Sequence, residues 1–284
     1  MIRPATQQDV VSLRAFLMAR IETSMFLLAN LEAHGLSGAD HPNATTYWLT
    51  TDDGAITGVL GLTQAGFVLV QMPDVDLRGA HGMLAHASGR SLIGITGATR
   101  QVSVFVDALA LAPDLWSLNE SEPLFRLTLS DLAVPMATLR PPMAQDLAFL
   151  PDWFANYMAQ TRTAPPGDLA TAAQARAHAA IDGGKVWLLV QDGHPVAMAA
   201  INARTGGAVQ VGGVYVPPAL RGGGRASVMV AALLAQERAA GAEVAILFAA
   251  SDVAARAYTR IGFQRVGTYH LALLKTSYEL RGTP

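Results

Sequence analysis

The sequence contains no cysteine. Disulfides, thiolate metal sites and a cysteine nucleophile are therefore excluded. Any group-transfer chemistry must be direct or use an oxygen nucleophile. Charge is also scarce: Asp, Glu, Lys and Arg make up 15% of the residues, and the formal net charge is −2. A nucleic-acid partner needs a basic face to displace counterions, and none is legible. No apolar run approaches the roughly 18 residues of a membrane span. The longest, such as Val228 to Ala235, suits a buried helix. The opening MIRPATQQDVV has no apolar core of signal-peptide length, so a soluble cytoplasmic protein is expected, with no membrane partner. The seven histidines form no ligand set. His81 and His86 are five apart, which is wrong for one helix face, and no metal is expected.

What remains is apolar material: hydrophobic residues make up 51% of 284. That supports a large core, and the length suits two domains. An internal repeat agrees. Arg3-Pro4 followed by Gln8-Asp9 recurs 137 residues later as Arg140-Pro141 and Gln145-Asp146. Trp48-Leu49 followed by Asp53-Gly54 recurs 139 residues later as Trp187-Leu188 and Asp192-Gly193. Each unit reads as a short strand with Arg-Pro, a helix opening near the Asp, and a hairpin with Asp-Gly at its turn. The helical stretches are Arg14 to Leu31 and Asp146 to Tyr157. A third strand follows the hairpin, Phe67 to Met72 and Val209 to Val216. The boundary is expected near Leu132 to Thr138, giving domains 1–134 and 135–284.

The second half carries the chemistry. The strand Val209–Val216 runs into Pro217-Pro218, which cannot continue a ladder. Then comes Arg221-Gly222-Gly223-Gly224-Arg225-Ala226-Ser227, followed by an Ala- and Leu-rich helix, Val228 to Ala240, with Gly241 as its C-terminal signal. Strand, glycine-rich loop and helix make an anion cradle. Converging backbone N–H groups and the helix N-terminus receive the charge, and two arginines stand beside it. A diphosphate is the natural guest. The loop is neither a Walker loop, having Gly-Arg-Ala where Gly-Lys-Ser/Thr is needed, nor G-x-G-x-x-G, since Ser227 replaces the last glycine. Downstream come a strand, Glu243 to Phe248, a helix, Asp252 to Ile261, Gly262-Phe263, and a last strand, Thr268 to Lys275.

This half, over about residues 138–275, resembles the GNAT superfamily of acyl-CoA N-acyltransferases. Its cofactor motif, Arg/Gln-x-x-Gly-x-Gly/Ala, is matched by Arg221, Gly224 and Ala226. Ala254, Tyr258, Gly262 and Phe263 match the second motif, in which Ser251 replaces an asparagine that usually lies near the pantetheine arm. The resemblance implies two α/β halves, each a mixed, mostly antiparallel sheet flanked by helices. It implies acetyl-CoA as donor, with the diphosphate on Gly222, Gly223, Gly224, Arg225, Ala226 and Ser227, and the pantetheine along Val214, Tyr215 and Val216. Tyr258 stands where the family places its general acid. The family often carries a Glu on the strand before the loop. That strand offers only Gln210 and Tyr215, so no general base is evident.

The first half resembles a degenerate copy. Aligning Leu77-Arg78-Gly79 with Leu220-Arg221-Gly222 sets His81 at the position of Gly224 and Met83 at that of Ala226, where bulk would fill the diphosphate space. It is expected to bind no cofactor. The function implied is acetyl transfer from acetyl-CoA to a small primary amine. Action on a protein or peptide amine, a longer acyl donor, and a non-catalytic acyl-CoA sensor remain open, as does a homodimer. The segment Arg162 to Gly167 lies where an acceptor would be selected, or is an ordinary connection.

Overall fold

The computed structural model describes residues 2–36 and 40–280. In chain order its strands are β1 (Ile2–Pro4), β2 (Thr45–Asp52), β3 (Ala55–Thr63), β4 (Phe67–Gln71), β5 (Ser91–Ala98), β6 (Trp116–Thr128), β7 (Thr138–Arg140), β8 (Val186–Gln191), β9 (His194–Thr205), β10 (Ala208–Tyr215), β11 (Val244–Phe248) and β12 (Gln264–Glu279). The helices are α1 (Val10–Met18), α2 (Ile21–His34), α3 (Leu77–His86), α4 (Thr99–Leu109), α5 (Leu150–Thr161), α6 (Leu169–Asp182), α7 (Arg225–Ala239) and α8 (Asp252–Thr259). The fold is the mixed α/β class that the sequence implied. Among the described residues no helix is long and apolar enough to cross a membrane.

The chain divides into two compact units, Met1–Glu122 with Gly267–Pro284, and Pro123–Val266. The expected cut at 134/135 differs from this because strands β6 and β12 each belong partly to both units. The chain leaves the first unit in the middle of β6 and returns to it within β12. In the first unit the strand order is β1-β2-β3-β4-β5-β12-β6, and in the second it is β6-β11-β10-β9-β8-β7. In the first unit β4 pairs in parallel with β5, and in the second β10 with β11, whereas β1–β2, β2–β3, β3–β4, β5–β12, β6–β11, β7–β8, β8–β9 and β9–β10 are antiparallel.

Helices cover both faces of each sheet. In the first unit, α3 and α4 pack Met83, Val102 and Phe105 against Leu60 and Val68, while α1 and α2 pack Leu13, Leu17 and Leu28 against Tyr47 and Leu49. In the second, Met229, Val230 and Leu233 of α7 pack on Val209, Val211 and Leu247. Leu150, Phe154 and Met158 of α5 join Ala173 and Ala177 of α6 over Leu188, Met198 and Tyr215.

The repeated sequence signals are physical contacts. Arg3 grips Asp9 through two hydrogen bonds, Nη1 to Oδ2 at 2.7 Å and Nη2 to Oδ1 at 2.6 Å. Arg140 grips Asp146 in the same fashion, at 2.6 and 2.8 Å. Each carboxylate also accepts a backbone N–H three residues before it, from Thr6 or Met143. The second repeated signal pairs with the first: Arg3 lies opposite Leu49 and Arg140 opposite Leu188. Both Asp-Gly turns are left-handed at both residues, Asp53 at φ 45° and Asp192 at φ 49°, as a tight hairpin requires. The helical stretch expected over Arg14 to Leu31 is two helices. It breaks at Arg20, whose backbone leaves the helical region and whose side chain folds back to the Phe16 carbonyl at 3.2 Å and over the Phe16 ring.

The arginine partners hold Asp9 and Asp146 below the ordinary carboxylate range, against the opposing effect of burial. A lowered folded-state pKa means that this stabilisation is complete above the unfolded carboxylate value of about 3.9 and is lost as pH falls through the folded value. Removing the buried Asp146 carboxylate leaves a guanidinium and a backbone N–H without their partner. Asp146→Ala is expected to lower the unfolding free energy by about 2–3 kcal/mol in urea denaturation at pH 7. Unchanged stability would mean that the clamp is ornamental.

Candidate functional site

The site begins where the parallel pair of the second unit comes apart. β10 and β11 stay in register from Ala208↔Val244 to Val211↔Leu247. β10 then continues to Tyr215, whereas β11 stops at Phe248. On its other edge β10 follows β9 with a register shift between Gly212 and Tyr215, and Gly213 within it sits at φ 60°. A bulge of this kind bends a strand and increases its twist, and the left-handed residue inside it is one that glycine adopts without strain. The strand end Val214-Tyr215-Val216 is thereby carried past the last β11 pair.

Pro217-Pro218 ends the strand, and a single 3₁₀ turn, Pro218–Leu220, leads into the glycine loop. Arg221 turns back to the strand: its Nε donates to the Val216 carbonyl at 3.0 Å and its Nη2 to Gln160 Oε1 of α5 at 2.7 Å. Arg225 fixes the far side of the loop, with Nη1 on the Leu220 carbonyl at 2.8 Å and Nε on Gln191 Oε1 at 2.9 Å. The two cations thus brace the loop as well as raising the local potential.

Gly224 is the N-cap of α7 at φ 71°, and no side chain caps the helix. α7 starts three residues earlier than the sequence suggested, so Arg225, Ala226 and Ser227 form its first turn. The first i→i+4 bond is Val228 N–H to the Gly224 carbonyl at 3.1 Å. The amides of the first turn have no helical acceptor, which is general for helix starts, and a glycine cap leaves them open to a ligand. The loop is exposed at Arg221, Gly222, Gly223 and Gly224. At the other end Ala240 is the C-cap and Gly241, at φ 99°, follows it.

α8 closes the site from the β11 side. Ser227 Oγ donates to the Ala257 carbonyl at 3.0 Å, joining the start of α7 to α8. Tyr258 is buried, packs in the same core cluster as Val216 and Met229, and meets the Phe263 ring at 6.1 Å. Val214, Leu220, Ala226 and Ala254 pack on that cluster. Of the residues singled out in the sequence, Val214, Val216, Ala226 and Tyr258 thus share one core cluster. Ser251 has a local task, accepting the Ala254 N–H at 3.2 Å as N-cap of α8. Tyr215 stands on the opposite side, in the α5–α6 cluster, with Trp153 at 5.8 Å and the Arg221 guanidinium 5.9 Å from its ring. Burial raises the Tyr215 phenol pKa, against the pull of Arg221.

The first unit handles the same place differently. α3 is capped by Asp76, whose Oδ1 accepts the Gly79 N–H at 2.7 Å. The connection from β4 is only residues 72–76, so Arg78 and Gly79 lie inside the helix and not in a loop. The proposed equivalence of His81 with Gly224 does not hold. His81 is a helical residue contacting the Ala108 carbonyl at 3.1 Å, and Met83 is core. The structural counterpart of Gly224 is the capping carboxylate of Asp76. At the end of β4, the Met72 N–H is taken by Gln101 Oε1 at 2.6 Å. Neither closure is legible from composition; the Asp three residues before Gly79 was the available signal. Among the described residues no group of three or more His, Asp or Glu is placed to hold a metal ion.

Residues 149–263 match the model of the acetyltransferase (GNAT) family. No curated protein matches the sequence. Among solved structures, a GCN5-related N-acetyltransferase from Kribbella flavida is 20% identical, over 91% of this chain and 95% of that one, with a TM-score of 0.56. A GCN5-related N-acetyltransferase from Sphaerobacter thermophilus is 15% identical, over 99% and 96%, with a TM-score of 0.58. A Drosophila protein is 14% identical, over 96% and 98%, with a TM-score of 0.60. At these identities the structural likeness establishes the fold, and the match to the acetyltransferase (GNAT) family model covers residues 149–263.

If Ser251 acts as a helix cap, Ser251→Ala should cost about 1 kcal/mol in chemical denaturation. A variant as stable as the parent would mean that this cap contributes nothing to stability.

Proposed function

We propose, from the match of residues 149–263 to the acetyltransferase (GNAT) family model, that the protein transfers an acetyl group from acetyl-CoA directly to a small primary amine. One observation carries the reading: an uncapped helix N-terminus, entered through a glycine at φ 71°, lies at the end of a strand that has outrun its parallel neighbour. These residues fit a diphosphate joined to an extended arm. The amides of Gly222 to Ser227 would hold the diphosphate. The end of β10, Val214 to Val216, would hold the pantetheine. Acetyl-CoA supplies an activated acyl group as a thioester. Arg221 and Arg225 keep the cradle in shape, and their charge favours the anion.

Tyr258 is the residue assigned to the leaving sulfur. A phenol with a pKa of about 10 is a competent proton donor to a thiolate whose conjugate acid lies near 8.5. Its burial in the same core cluster as Val216 supports this role. The absence of cysteine supports direct transfer, since no thiol is available to carry the acyl group. The first unit, on this reading, is a copy of the fold that holds no acetyl-CoA. Asp76 and Gln101 already occupy the backbone donors that a diphosphate and a pantetheine would use there.

Tyr258→Phe is expected to lower kcat by about two orders of magnitude, with the acetyl-CoA Kd within about threefold of the parent. Thiol release followed with a chromogenic thiol reagent reads this with no background from the protein. An unchanged kcat would remove Tyr258 from the chemistry.

A further inference from the structure

Gln210 on β10 is 2% exposed. Its Nε2 donates to the Val211 carbonyl at 2.8 Å, which fixes the amide orientation, because a flipped amide would set two oxygens against each other. Its Oε1 is buried and has no hydrogen-bond partner among the described residues. A buried acceptor left unpaired is uncommon and calls for a reason. Its register neighbours, Ala203 on β9 and Ile246 on β11, have no side-chain donor.

The position is specific. Val211 is the last β10 residue in register with β11, so Gln210 stands one residue before the strands part. Val209 and Val211 pack toward α7, and strand alternation turns Gln210 to the opposite face, the one carrying α5 and α6. Gln210 thus lies on the same strand four residues before Val214, where the end proposed to hold the pantetheine begins, on the face away from α7.

We infer that Gln210 Oε1 receives an N–H of the acceptor, and that the acceptor is a weakly basic amine that arrives uncharged. This rests on the acetyl-CoA reading above. An amide oxygen accepts a hydrogen bond but cannot take the proton that an ammonium must lose before it attacks. In the attack the nitrogen lone pair forms the bond to the acyl carbon, the C–S bond breaks, the sulfur leaves with its electron pair and takes a proton, and the nitrogen's surplus proton passes to water. An α-amine of pKa about 8 is about one-tenth neutral at pH 7, whereas a lysine-like amine of pKa about 10.4 is less than about one-thousandth neutral. Without a base at this position the first class is favoured.

The test uses alaninamide and Nα-acetyl-lysinamide as probes, with thiol release from acetyl-CoA at pH 7 as readout and acetyl-CoA Kd measured in parallel. The parent should use alaninamide with kcat/KM at least about tenfold above the lysine probe. Gln210→Met should raise the alaninamide KM about tenfold while acetyl-CoA Kd and the melting temperature hold. Gln210→Glu, which keeps the shape and adds a base, should narrow the preference between probes. The inference is overturned by an unchanged KM in Gln210→Met, by equal use of both probes, or by no acceleration from either probe while acetyl-CoA binds. If the parent fails to bind acetyl-CoA, the fault lies in the parent reading, and this inference falls with it. Should Gln210→Met not fold, the probe preference in Gln210→Glu decides alone.

Discussion

The second unit is organised around a parallel strand pair that parts before one strand ends. β10 stays paired with β11 only as far as Val211, and the bulge at Gly213 bends the remainder along its own path. Everything in the site follows from that departure. It carries Val214 to Val216 past the last β11 pair, delivers the chain to Pro217-Pro218 beside α7, and leaves Gln210 at the fork. Full pairing along both strands would leave no extended edge for a ligand arm and no reason for the loop to be where it is.

A second constraint is electrostatic. An open helix start attracts any anion within reach, including the protein's own carboxylates. The two units resolve this in opposite ways. α3 is closed by Asp76, two atoms of the same chain meeting at 2.7 Å. α7 is entered through a glycine that has no side chain to offer, and its nearby cations are tied to the backbone carbonyls of Val216 and Leu220. The same fold element therefore serves stability in one unit and is left available in the other.

Much of this was legible in the sequence where chemistry is local. The Arg-Pro and Gln-Asp signals are a bidentate ion pair, the Trp-Leu signals lie on the strand beside it, and Asp-Gly marks left-handed hairpin turns. The glycine loop and its helix follow from residue types at fixed spacing. Less legible were features set by partners distant in sequence. β6 and β12 divide their lengths between two units, and nothing in either strand's own residues says where it is shared. Met72 meets Gln101 and Ser227 meets Ala257 across about thirty residues. The break at Arg20 was missed because apolar periodicity continues across it, while one backbone position leaves the helical region. The weak alignment of Leu77-Arg78-Gly79 failed for a simpler reason: the connection in the first unit is too short to contain a loop.

The most direct measurement is a calorimetric titration of acetyl-CoA into the intact protein and into Gly224→Asp. The substitution places a carboxylate at the start of α7, at a left-handed backbone position (φ 71°) that Asp adopts at a modest cost. The account predicts one equivalent bound per chain in the parent, and binding weakened by at least about a hundredfold in a variant whose circular dichroism and melting temperature match the parent's. Two equivalents in the parent, or undiminished binding in the variant, would contradict it.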